Sequence, residues 1–143
     1  MVSCACPERL LATPPPLLNA TPSHARVCCP PSAAQPAITE NVSFENVARE
    51  WRMKWSGDDS LTAAQNALAE VLPAIKAVSG FVSVQRVVCG GCLDFKVIVK
   101  LSEPDFGAWE AAAFAPEETF LGAVKGVAGI SSVETQTYTL ETL

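Results

Sequence analysis

Two strand-like runs spanning residues 82 to 101, joined at Cys89-Gly90-Gly91-Cys92, fix which side chains share a face. If Gly90-Gly91 forms a two-residue turn, glycine supplies the positive φ angles that primed turns need. Val88 then lies opposite Leu93, Arg86 opposite Phe95, Val84 opposite Val97 and Val82 opposite Val99. That face is almost wholly apolar. The other carries Ser83, Gln85, Val87, Cys89, Cys92, Asp94, Lys96, Ile98 and Lys100, a mostly polar surface that meets water, a ligand or another subunit.

The flanking segments extend this frame. Residues 47 to 55 alternate, with Val47, Trp51, Met53 and Trp55 on one side and Ala48, Glu50, Arg52 and Lys54 on the other, so they read as a half-buried strand. Arg49 is the misfit on the apolar side. Ser56-Gly57-Asp58-Asp59-Ser60 is a turn whose Ser and Asp oxygens can cap a helix. Leu61, Ala64, Leu68, Val71, Leu72, Ile75 and Val78 then recur at three- and four-residue spacing, and Gly80 suits a left-handed stop. Pro73 lies inside that pattern and predicts a kink or break over residues 69 to 73. Glu103-Pro104-Asp105 opens a short helical stretch, Pro116 starts a second piece stopped by Gly129, and 132 to 140 is a Thr-rich strand of ambiguous parity. Strand, helix, strand, strand, helix, strand closes with right-handed crossovers as an α+β, ferredoxin-like βαββαβ fold. It has a four-stranded antiparallel sheet and two helices on one face. The face bearing Glu50, Arg52, Lys54, Asp94 and Lys96 is left bare.

Composition divides the chain at residue 40. Residues 1–40 hold eight of the eleven prolines, four of the six cysteines, the only histidine (His24) and four charges. Pro14-Pro15-Pro16 and Pro30-Pro31 forbid helix and ladder, so this segment is expected to be a disordered leader, followed by one domain over 41–143. It is poor in acids and rich in Ala, Ser and Pro, which suits a plastid targeting segment, although arginine is scarce. Sequons at Asn19 and Asn41 follow no signal-peptide core, and are read as chance. The domain carries thirteen acids and eight bases with no basic stripe, against a nucleic-acid surface. No apolar run approaches the roughly 20 residues that a membrane span requires.

Met53-Lys54-Trp55-Ser56, Val78-Ser79-Gly80, Asp94-Phe95-Lys96-Val97 and Phe114-Ala115-Pro116 to Phe120 resemble the stress-response A/B barrel domain of the dimeric α/β barrel superfamily. Gly91, Asp94, Val97-Ile98-Val99, Gly129-Ile130 and Glu134-Thr135-Gln136-Thr137 are similar to the effector-binding domain of leucine-responsive (Lrp/AsnC) regulators. The resemblance implies that two bare sheet faces pack together in a homodimer, which explains why Val87, Ile98 and Ala48 stand among charges. It also departs from the family. Polyketide-cyclase members place histidines in the first strand and the proline-containing segment, where this chain has residues such as Trp51 and Glu117, so the usual general base is missing. The regulators' helix-turn-helix is replaced by the proline-rich leader.

Glu50, Arg52, Asp94 and Lys96 point the same way on adjacent strands, and with Tyr138 they are candidates to line a ligand cavity; the bland reading is cross-strand ion pairing. Cys89 and Cys92 are a redox candidate or a plain turn, and in a reducing compartment the pair is expected to be reduced and catalytically silent. A zinc site needs about four ligands, and the domain offers no others, so neither a metal nor another cofactor is expected. The leading expectation is a dimeric module binding a small apolar ligand or a protein, with no catalytic residue assigned. The alternatives are a cofactor-free cyclase or monooxygenase using Tyr138, Glu50 or Asp94, and a thiol-redox protein in which no sequence-adjacent cation favours the Cys89 or Cys92 thiolate.

Overall fold

The computed structural model describes residues 35–143. In chain order these form β1 (Ala37–Thr39), β2 (Val42–Ser43), β3 (Asn46–Trp55), α1 (Asp58–Lys76), β4 (Phe81–Cys89), β5 (Asp94–Ser102), α2 (Glu103–Ala111), α3 (Glu117–Lys125) and β6 (Ile130–Leu140). Strands β4-β5-β3-β6 make one antiparallel sheet in that order, the ferredoxin-like arrangement, with the second helical region divided into α2 and α3. The core lies between one sheet face and the helices. Trp51, Met53, Phe95, Val97, Val99 and Leu101 meet Leu68, Val71 and Ile75 of α1 and Phe120 and Val124 of α3, all nearly inaccessible to water. Burying each large apolar side chain contributes about 1.5–3 kcal/mol.

The β4–β5 register differs from the two-residue turn. Cys89 pairs with Asp94, Val88 with Phe95, Arg86 with Val97 and Val84 with Val99, so residues 90 to 93 form a four-residue connection. The left-handed backbone angle falls on Leu93, at φ 55°, and neither Gly90 nor Gly91 has a positive φ. The shift moves each cross-strand partner by two residues. Side chains alternate with period two, so the assignment of faces survives from Val84 onward. The register shift between Phe81 and Ser83 instead leaves Val82 46% exposed and packs Phe81 against the core.

Three local features also depart from the sequence reading. Helix α1 runs through Pro73 without a break. One missing N–H near the last turn is tolerated because the bonds around it persist, including Ala77 N–H to Pro73 O at 3.2 Å. Its start is capped from inside: Ser60 Oγ accepts from the N–H groups of Ser56 and Gly57, each at 3.2 Å, and donates to Gly57 O at 2.7 Å. On the leader side of residue 40, β1 pairs with β2, Phe44 N–H donates to Pro36 O, and Gln35 Nε2 donates to Glu45 Oε1. The rest of the leader, with Cys4, Cys6, His24, Cys28, Cys29 and the Asn19 sequon, lies outside the described residues. β6 carries an extra residue between Ser131 and Glu134, opposite Arg52 to Lys54 of β3, and beyond it the pairing of Trp51 with Thr135 and Arg49 with Thr137 settles the parity of β6. Thr135 and Thr137 face the helices and Tyr138 faces the open side.

Candidate functional site

The residues picked out on the open sheet face gather into two polar groups. In the first, Tyr138 Oη donates to Glu50 Oε2 at 3.1 Å and Lys96 Nζ stands 3.8 Å from Glu50 Oε1. Tyr138 and Glu50 come from opposite ends of the domain sequence, yet β3–β6 pairing makes them neighbours. Burial, then the Glu50 charge and its hydrogen bond, push the Tyr138 phenol up to about 12 from its ordinary 10.0. In the second group, Lys54 Nζ lies 2.7 Å from Asp94 Oδ1, Arg52 is 4.0 Å from Asp94 and 3.9 Å from Glu134. The Lys54 hydrogen bond, helped by the charges of Lys54, Arg52 and Lys96 against partial desolvation, holds the Asp94 carboxyl below its usual range. A pocket of only about 170 Å³ touches Arg52, Lys54, Asp94 and Glu134. Their charges compensate one another.

At the β4–β5 tip the sulfurs of Cys89 and Cys92 are at bonding distance, 2.17 Å, with Cα atoms 5.5 Å apart. A reduced pair was the expectation. The sequence also offered no cation beside it, whereas Lys54 Nζ, from the neighbouring β3, donates to Cys92 O at 2.8 Å. Among the described residues, no cluster of three or more His, Cys, Asp or Glu could hold a metal ion, and no helix is long and apolar enough to cross a membrane.

Arg49, the misfit of the apolar stripe, is explained by a residue 68 positions away. Its Nε and Nη2 donate to the two oxygens of Glu117, at 2.7 and 2.9 Å, and Trp51 Nε1 donates to the same carboxylate at 2.7 Å. Thr137 Oγ1 accepts from Nη1 and Thr135 Oγ1 from Nη2, and the Phe114 ring centroid lies 4.2 Å from the guanidinium carbon. Ala113 and Phe114 both take φ 55°, a strained conformation for residues with a Cβ, and this places the ring there. The cluster therefore pins the start of α3 to the sheet.

Two further spaces lie along the helix side of β4, which sequence reasoning did not single out, and another of about 380 Å³ lies over α3, lined by Ala113, Glu117, Glu118, Leu121, Gly122 and Lys125. The edge strand is covered only in part by α1, leaving a groove in two adjoining sections. One, of about 370 Å³, is lined by Gln65, Leu68, Leu72, Lys76, Val84 and Arg86; the other, of about 350 Å³, by Leu61, Thr62, Gln65, Arg86, Val88 and Phe95. Arg86 Nη1 donates to Gln65 Oε1 where the sections meet. Val88 is 41% exposed although its face otherwise belongs to the core. The signal was present in Arg86, a charge in the middle of an apolar edge-strand face.

No protein-family model matches the chain, and no curated protein does. Solved structures do. SnoaB, a cofactor-independent oxygenase from Streptomyces nogalater, superposes with a TM-score of 0.52 at 16% identity over 69% of this chain and 96% of that one. What this chain shares with it is the ferredoxin-like α+β fold. Other structures with this fold include a monooxygenase from the gene ActVA-Orf6 of Streptomyces coelicolor in complex with the ligand nanaomycin D, at TM-score 0.50 and 18% identity over 70% of this chain and 90% of that one. A conserved protein of Methanosarcina mazei superposes at TM-score 0.53 and 8% identity, covering 68% and 95%.

Proposed function

We propose that the protein is a homodimer that binds a small, mostly apolar ligand in the groove between α1 and β4. The observation that carries this reading is the groove's chemistry. Leucine, valine and phenylalanine side chains surround a polar pair, Gln65 and Arg86, with Lys76 and Thr62 also in the lining, and ligand sites are apolar clefts in which a few polar groups fix orientation. The guanidinium and amide suit a ligand with one oxygen acceptor on a ring or chain skeleton. Dimerisation through the open sheet face follows from Val87, 44% exposed among the charges of that face.

The second reading is a cofactor-free monooxygenase, favoured by the activities named for SnoaB and the ActVA-Orf6 protein. The open-face groups are poorly suited to proton abstraction near neutrality. The Tyr138 phenol stays protonated, Asp94 is held ionised by Lys54, and Glu50 accepts from Tyr138.

The test uses the full chain with anilinonaphthalene sulfonate, a fused-ring apolar probe with one anionic group. Saturable binding at one site per chain, abolished by Val88→Trp and kept in Thr119→Trp on the exposed side of α3, is the expected result. Binding unaffected by Val88→Trp removes the groove from the argument. Oxygen uptake with a hydroxylated naphthoquinol, above the rate without protein, would move the assignment to the monooxygenase.

A further inference from the structure

The β4–β5 tip has features that neither the groove nor the dimer uses. Cys92 is exposed while Cys89 is half-buried at the end of β4. Gly90 and Gly91 are both exposed, and a Cβ built on either meets nothing within 4 Å, so the approach to the sulfurs is open. The Cys92 N–H points at Cys89 Sγ, 3.1 Å away. Lys54 holds the same residue by its carbonyl and is itself anchored by Asp94, so the donor is fixed in place rather than borne on a free loop.

We propose that this tip is a thiol–disulfide exchange site with a built-in direction: thiolates attack Cys92, and Cys89 is the sulfur that leaves. Exchange rates depend on which sulfur is accessible and on how well the departing thiolate is stabilised. Accessibility selects Cys92. The amide hydrogen bond selects Cys89 as leaving group, because an N–H aimed at a sulfur holds it more strongly as negative charge develops. Asp94, 2.7 Å from Lys54 and with Oδ2 3.5 Å from Cys92 Sγ, compensates the ammonium, so the direction rests on accessibility and the amide and not on charge.

In the forward step a thiolate of a dithiol reductant forms a bond to Cys92 Sγ. The Sγ–Sγ bond breaks, and its electron pair departs on Cys89, which then takes a proton from water. The reductant's second thiolate attacks the mixed disulfide, closes the oxidised dithiol and releases Cys92 as a thiolate. Two electrons pass from the dithiol to the protein pair, and a disulfide oxidant such as oxidised glutathione reverses the sequence. The substrate class is small or protein-borne thiols.

The oxidised full chain is incubated with reduced glutathione, quenched in acid, alkylated and mapped by peptide mass spectrometry, which separates the hairpin cysteines from Cys4, Cys6, Cys28 and Cys29. Glutathione on Cys92 with the alkyl label on Cys89 is expected in excess of the reverse pattern by on the order of tenfold. Equal labelling, or glutathione on Cys89, overturns the assigned direction. A second measurement titrates the pair in dithiothreitol and then in oxidised glutathione. Reduction and re-formation while the far-ultraviolet spectrum stays constant are expected, and a pair that resists dithiothreitol in the folded chain overturns the exchange site altogether.

Discussion

Glu117→Ala tests the one charged cluster beneath the helices. Arg49 and Glu117 side chains are 14% and 12% exposed, so deletion of the carboxylate leaves a largely buried guanidinium with two threonine hydroxyls and the Phe114 ring as its remaining partners. Removing one member of a fully buried pair costs about 3–5 kcal/mol, and the surviving partners and residual exposure bring this to about 2–3 kcal/mol. The Trp51 indole N–H loses its acceptor as well, adding about 1 kcal/mol. The total of about 3–4 kcal/mol corresponds to a fall in melting midpoint of roughly 12–16 °C for a domain of this size. Glu118, exposed in the same helical turn, is the control, since Glu118→Ala removes only a favourable helix-dipole charge at about 0.3–1 kcal/mol. Replacing both Arg49 and Glu117 by methionine should recover much of the loss, because no uncompensated charge is left behind. Thermal and urea unfolding of the parent, Arg49→Met, Glu117→Met and the double replacement complete a double-mutant cycle. A Glu117→Ala chain within about 1 kcal/mol of the parent would mean that water already screens the pair, and the pinning of α3 would have to be ascribed to Phe120 against Trp51.

The other expectations can be checked with the same preparations. Gly80→Ala should destabilise by about 2 kcal/mol or more in urea titration, because Gly80 has φ 72° and an added Cβ would meet Asp105; a loss within experimental error would show that the α1–β4 turn can rearrange. Ile98→Asp should give monomers in sedimentation velocity, since it places a charge against the partner sheet, and an unchanged dimer would place the interface elsewhere. The Tyr138 phenol, raised in the folded chain, contributes stability that is complete below pH 10.0 and lost as pH climbs toward about 12, so Tyr138→Phe should flatten the alkaline limb. Asp94 has the opposite sign: its lowered carboxyl contributes above its unfolded value of 3.8 and is lost as pH falls below it, so Asp94→Asn should flatten the acid limb.

The order of elements was legible because period-two and period-3.6 patterns alternate cleanly between 47 and 140. The faces of β3 and β5 were legible too, even where the turn was not, whereas β6 was ambiguous and Val82 left its expected face at a register shift. Gly90-Gly91 suggested a tight primed turn, but the positive φ went to Leu93, a choice set by the ladder on either side and not by glycine's freedom. Arg49 could be recognised as out of place. Its partner could not, because only the packing of α3 against β3 brings Glu117 within reach across 68 residues. The groove was hidden for a related reason: how far a helix covers an edge strand depends on interaxial placement, which spacing does not encode. The open-face residues were predicted by parity alone, and parity does not say that Lys54 would reach past Asp94 to the backbone of Cys92.

The pairing of β3 with β6 sets Asn46 directly across from Leu140, and Glu45 N–H donates to Glu141 at 3.1 Å. The two ends of the sheet are therefore separated by about the 5 Å of adjacent antiparallel strands. A short glycine-containing link between them would turn β6 and β3 into a hairpin, and new ends could be opened between Gly90 and Gly91, where the backbone is exposed. In such a circular permutant the longest-range ladder of the sheet becomes local, and entropy of loop closure is exchanged from that pair to β4 and β5. The Cys89–Cys92 bond would then join the two new termini covalently, so that oxidation state alone would decide whether the permuted backbone is a closed ring or an open chain.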